Sequence, residues 1–142
     1  MKALTLRQPY ATLVAIGAKR VETRSWRTRY RGPLAIHAAA TFPLQARELC
    51  SREPFRSALL AGGYEQVDSL PLGGVIARCR LVDCLPTSAA AGSDHGELPP
   101  AASDEWAFGD YSPSRFMWLL ADVESIEPRP ARGALGLWEW SA

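Results

Sequence analysis

Residues 3–7, ALTLR, alternate apolar and polar side chains and run at once into Gln8 and Pro9. That junction limits the fold more than any other stretch of the chain, because proline disfavours helix in the residue before it and suits the first helical turn, where its missing N–H is not needed. A strand must therefore end and a helix begin within two residues. Tyr10, Leu13 and Val14, with Ala11 and Ala15, give an apolar helix of about two turns, and Gly17 can take the left-handed conformation that closes it. The chain returns to strand in KRVETRSW. A regular strand puts Lys19, Val21, Thr23 and Ser25 on one face and Arg20, Glu22, Arg24 and Trp26 on the other. RTRYRG then reads as a basic loop, and PLAIHAAA as a strand with Leu34 and Ile36 on one face and His37 on the other.

Two short helices are expected between Thr41 and Gly63, the first capped by Thr41 before PLQARELC and the second, FRSALLAGG, beginning after Pro54. GGVIARCRLVDCLP carries the strongest strand signal, through Val75, Ile76, Leu81 and Val82. Residues 86–104 are rich in Ser, Ala, Gly and Pro, and predict a mobile loop. A strand over about Arg115–Ile126 and a closing strand in ARGALGLWEWSA complete the chain. Several strands with helices inserted early, and a last strand able to return to the first, predict an α+β fold. It would be a small closed or nearly closed β-barrel with short helices packed at its ends.

At 142 residues and 47% apolar content one domain, 1–142, with one core is expected. No apolar run reaches the roughly 18 to 20 residues that span a bilayer, and the N-terminus lacks a signal-peptide pattern, so the expected setting is cytoplasmic, away from membranes. Cys50, Cys79 and Cys84 leave one thiol unpaired in any disulfide scheme and have no zinc spacing. Reduced cysteines are expected, with no metal and no cofactor. The sequence also contains no nucleophile elbow, no phosphate-binding glycine loop and no HExxH.

The formal charge of +1 conceals a bipolar chain. Residues 1–40 hold eight basic side chains against Glu22 alone, a balance of +7; the remainder holds eight against fourteen, a balance of −6. The first part should attract a polyanion or phosphate. The acidic remainder, with its Pro-rich loop, offers a surface for a protein partner.

The run LRQPYATLVAIGAKRVETRSW, with its GxKxxExR element at Gly17, Lys19, Glu22 and Arg24, is followed by YRGPLAIHAA, GGVIARCRLVD, SPSRFMWLL and RGALGLWEW. In this order and over nearly its whole length, the chain resembles the ASCH domain family. The resemblance implies a PUA-like β-barrel with a cleft faced by the helix-to-strand turn that carries GxK. It also implies a protein that binds RNA or a nucleotide. Some small members look like amidohydrolases that remove an acyl group from modified cytidine, and others like RNA-cleaving enzymes. Where the amidohydrolase-like members carry a threonine, this chain has Glu22, with Thr23 and Ser25 as the nearest hydroxyls.

The candidate residues follow from this. Lys19 and Glu22 can pair around the turn and, if the protein is an enzyme, manage protons for water attack, while Arg24 can fork onto phosphate or carboxylate; alternatively the trio is a structural ion pair. Arg7, Gln8 and Tyr10 sit at the strand-to-helix junction, where Gln8 can read a base edge or simply cap the helix. Trp26, Arg27, Arg29, Tyr30 and Arg31 combine stacking surfaces and cations in the way single-stranded RNA is held, or form a solvated basic loop. His37 is either a proton carrier or a satisfied core histidine. Arg115 and Trp118 can close the cleft from the far side, unless Trp118 is core.

Overall fold

A computed structural model of the protein describes residues 1–92 and 103–141. Its elements run β1 (Lys2–Leu6), α1 (Tyr10–Ala15), β2 (Val21–Arg24), β3 (Gly32–Ala38), α2 (Leu44–Leu49), α3 (Phe55–Ala61), β4 (Gly74–Pro86), α4 (Asp104–Ala107), β5 (Phe116–Pro130) and β6 (Leu137–Glu139). The strands form one mixed sheet in the order β2-β5-β4-β3-β1-β6. β1 and β3 are parallel, as the crossover through α1 requires, and the other neighbours are antiparallel.

The expected α+β barrel is present as a half-barrel. β2 and β6 end the sheet without pairing to each other; at four and three residues they are too short to close a long seam. Register irregularities along β4, between Val75 and Ala77, Arg78 and Arg80, and Leu81 and Asp83, bend the sheet where the curl is needed. The last strand does return to the first: Ala3 faces Trp138 and Leu4 faces Leu137.

α1 is the hinge between two apolar clusters. Ala11 and Val14 pack on the sheet with Leu4, Leu34, Ile36 and Trp118, while Leu13 turns the other way, to Phe55, Leu59, Leu70 and Phe108. Leu13 has no exposed surface, so its burial contributes roughly 2 kcal/mol. The helix begins as its sequence predicts. Gln8 Oε1 accepts the Thr12 N–H at 2.9 Å, and the Leu13 N–H reaches the Pro9 carbonyl at 3.0 Å. It ends at Gly17, at φ +82°, beyond which the Ala18 and Lys19 N–H groups both return to the Leu13 carbonyl.

Four boundaries differ from the sequence reading. α2 is preceded by Pro43, not capped by Thr41, and has no side-chain cap. β2 is confined to Val21–Arg24, so Lys19 lies in the turn before it. β5 runs on to Pro130 because Arg129 and Pro130 pair with Val75 and Gly74, across an irregularity that accommodates the intervening Pro128. Of the predicted 86–104 loop, Pro86 belongs to β4, residues 87–92 form a 3-10 turn, and Asp104 opens α4. Residues 93–102 lie outside the described residues. All three cysteines are free thiols, and among the described residues no group of His, Cys, Asp and Glu has the arrangement of a metal site. Among the described residues no helix is long and apolar enough to cross a membrane.

Candidate functional site

The alternation of β2 builds the site. Val21 and Thr23 are buried, while Glu22 and Arg24, on the opposite face, line a cavity of ≈ 620 Å³ with Arg7, Tyr10, Trp26, Asp110, Arg115 and Leu135. This volume is within the range of small-molecule sites.

Behind Glu22 stands Lys19, whose side chain has no exposure. Its ammonium donates to the carbonyls of Val21 and Phe108, both at 2.6 Å, and lies 3.5 Å from Glu22 Oε1. Burial pulls the Lys19 pKa down, and the charges of Glu22 and Glu105 oppose that shift. On the other side of Glu22, Arg24 Nε sits 3.1 Å from Oε2, while Arg24 Nη2 donates to the Thr5 carbonyl at 2.7 Å. One carboxylate is thus held between two fixed cations at the cavity surface. An ionised carboxylate accepts hydrogen bonds and cannot donate them.

The turn itself is clamped from afar. Glu105, on α4, accepts the backbone N–H groups of Arg20 and Val21 at 2.8 to 3.0 Å. The segment that follows α4 crosses β2 closely enough that a Cβ on Gly109 would lie 2.9 Å from the Tyr111 ring and 3.1 Å from Thr23. Thr23 Oγ1 accepts the Asp110 N–H at 2.8 Å, and Arg115 reaches both the Asp110 and Thr23 carbonyls. Hydrogen bonds from Ser112 hold the Asp110 carboxyl below its ordinary range. Tyr10, half-buried beside Glu22, has its phenol pKa raised first by burial and then by the Glu22 charge. Trp26 meets Trp118 edge to face, with centroids 4.7 Å apart.

Six candidates therefore share the cavity: Arg7, Tyr10, Glu22, Arg24, Trp26 and Arg115. The remainder stand elsewhere. Gln8 is fully buried, its amide donating to Thr12 Oγ1 and the Pro71 carbonyl while its oxygen caps α1, so its polar groups are already engaged. Trp118 is core, with no exposure, and donates to the Trp26 carbonyl at 3.3 Å. His37 is a buried link in a chain: Trp138 Nε1 donates to Thr5 Oγ1, the Thr5 hydroxyl meets His37 Nδ1 at 3.1 Å, and His37 Nε2 donates to the Ala131 carbonyl at 2.7 Å. It does not line the cavity. Lys19 acts from behind Glu22 rather than from the surface. In the loop after Trp26, Arg27 and Arg29 are exposed, but Arg31 binds the Thr28 and Tyr30 carbonyls and Asp83. Tyr30 donates to the Pro33 carbonyl at 2.5 Å and packs on the core.

Sequence reasoning missed Thr5, Phe108, Asp110 and Leu135 in the cavity wall and Glu105 behind it. For Glu105 a signal existed: Ser-Asp-Glu at 103–105 is a helix start.

The chain matches the ASCH domain family over residues 4–130. It is 37% identical over 82 residues to human Activating signal cointegrator 1 and 35% identical over 82 residues to the mouse protein. Each match takes in 58% of this chain but only 14% of the relative's length. The crystal structure of ASCH from Zymomonas mobilis superposes with a TM-score of 0.50 at 14% identity, covering 91% of this chain and 72% of that one. A point-mutant form of the same protein gives the same score over 74% of its chain. Motif order, half-barrel and family match coincide, and the chain belongs to the ASCH domain family, which is associated with RNA binding.

Proposed function

We propose that this protein binds single-stranded RNA or a nucleotide and that the cavity takes one base, with Glu22 accepting from an exocyclic amino group such as those of cytosine or adenine. The observation that carries this reading is the setting of Glu22, between the Lys19 ammonium at 3.5 Å and Arg24 Nε at 3.1 Å. Two cations flank a carboxylate, an acceptor that pairs with an amino group and repels a keto oxygen. Trp26 and Tyr10 add aromatic surface to the walls, and Arg7, exposed at the rim, adds a cation for the backbone. Fluorescence anisotropy of labelled r(ACAC) and r(UUUU) at about 50 mM salt tests it: r(ACAC) should bind at least about tenfold tighter, and weaken as salt rises. Equal binding of the two, or none, would remove the reading.

A hydrolase working in the same cavity is the second reading, favoured by one observation: a buried lysine of lowered pKa set against a carboxylate at a cavity wall. Because Lys19 is unexposed, Glu22 would be the group that meets water, with the Lys19 ammonium 3.5 Å behind it. Absorbance-monitored hydrolysis of N4-acetylcytidine by wild type and Glu22→Gln decides this; turnover that persists in the variant would end the role of Glu22.

A further inference from the structure

The cavity has a neighbour. A second depression of ≈ 600 Å³ shares Arg7 and Tyr10 with the first, and the rest of its wall comes from Gln8, from Pro43 just before α2, from α2 through Ala46 and Leu49, and from Arg52 beyond it. Two side chains common to both spaces make the two adjacent. The second compartment offers an apolar floor with cations beside it. Arg7 and Arg52 are exposed, and among the described residues neither guanidinium has a hydrogen-bond or ion-pair partner. Nearby Arg47 is a contrast, since it pairs with Asp68 and lies over the Phe42 ring. Among the described residues Glu48 is the one carboxylate of this compartment, which leaves its described lining a balance of +1. A structural arginine is expected to have partners; these two have the position and freedom to take phosphate.

We propose that the ligand is an oligonucleotide rather than a single nucleotide. One base occupies the Glu22 cavity, the linking phosphate rests on Arg7, and the adjacent nucleotide lies over Ala46 and Leu49 with its phosphate on Arg52. This rests on the base-binding reading above, and the experiment separates the two. Labelled r(ACAC) is bound to wild type and to Arg52→Ala, and AMP and CMP are used as competitors against both. The tetranucleotide should bind wild type at least about tenfold tighter than either monophosphate. Arg52→Ala should weaken it about fivefold at low salt and flatten the slope of log K against log salt by about 0.7, the share of one phosphate contact on a single strand. Affinity for AMP and CMP should not change. A second variant, Ala46→Trp, fills the compartment and should weaken only the tetranucleotide. Monophosphates that bind as tightly as the tetranucleotide, or an unaltered salt slope in Arg52→Ala, would overturn the two-compartment groove and leave base binding standing. Absence of binding by all three probes would overturn both.

Discussion

The Lys19 ammonium lies 3.5 Å from Glu22 Oε1 while its side chain is wholly excluded from solvent. A buried charge of this kind is tolerated because every direction it faces is occupied: Glu22 on one side, the Val21 and Phe108 carbonyls on the others. The contact with Phe108 ties the turn before β2 to the segment after α4. Stability and ligand geometry are thus joined in one side chain.

Replacing Lys19 by alanine should therefore cost roughly 3 to 5 kcal/mol, since it leaves two buried carbonyls without a donor and Glu22 without its inner cation. Urea denaturation measures this. A loss under about 1 kcal/mol would mean that the ammonium is not an anchor.

Cys79 predicts an alkaline instability. Burial pushes its thiol up to about 12, from an ordinary value of 9.0. Between these values the unfolded chain has lost the proton that the folded chain keeps, so stability is fully present below about pH 9 and falls by about 1.4 kcal/mol per pH unit above it. Lys19 contributes with the opposite sign, its folded pKa being lowered, and comparison of wild type with Cys79→Val cancels that part. Unfolding curves at pH 8, 9, 10 and 11 should show the wild type alone losing this increment; parallel slopes would contradict it.

The loop after Trp26 should divide by function. Arg27 and Arg29 are exposed, and their joint replacement by alanine should leave the melting temperature unaltered while flattening the salt slope of RNA binding by up to about 1.4. Arg31, engaged with Thr28, Tyr30 and Asp83, should instead loosen the loop when replaced. Salt titrations of the double variant check the first statement, and thermal melts of Arg31→Ala the second.

Leu135 is 98% exposed at the cavity mouth. An apolar side chain there loses little when the free protein is folded and gains when a ligand covers it. Leu135→Asp should keep stability within about 0.5 kcal/mol and weaken r(ACAC) binding several-fold, read by melting and by anisotropy.

Much of this was legible in the chain. The strand, proline, short helix and Gly17 sequence fixed the entry to the site, and the period of two in VETR placed Glu22 and Arg24 on one face. What local pattern does not carry is contact between residues far apart in the chain. Glu105 reaches the Arg20 N–H across 85 residues, and Phe108 meets Lys19 across 89. His37 and Trp118 look chemically capable as letters, yet their polar atoms are spent on Thr5, Ala131 and Trp26. Gln8 misleads for the same reason: its amide is consumed by Thr12 and Pro71, the latter 63 residues away. Leu135 and Asp110 became visible only when their loops met over the β2 face.

The measurement that bears most directly on the account is base preference in Glu22→Gln. A glutamine amide both donates and accepts, so it can meet the keto oxygen of uracil that a carboxylate repels. With circular dichroism confirming the fold, wild type should favour r(ACAC) over r(UUUU) by at least about tenfold and the variant should bring the two within about threefold. An identical preference in both proteins would contradict base reading by Glu22.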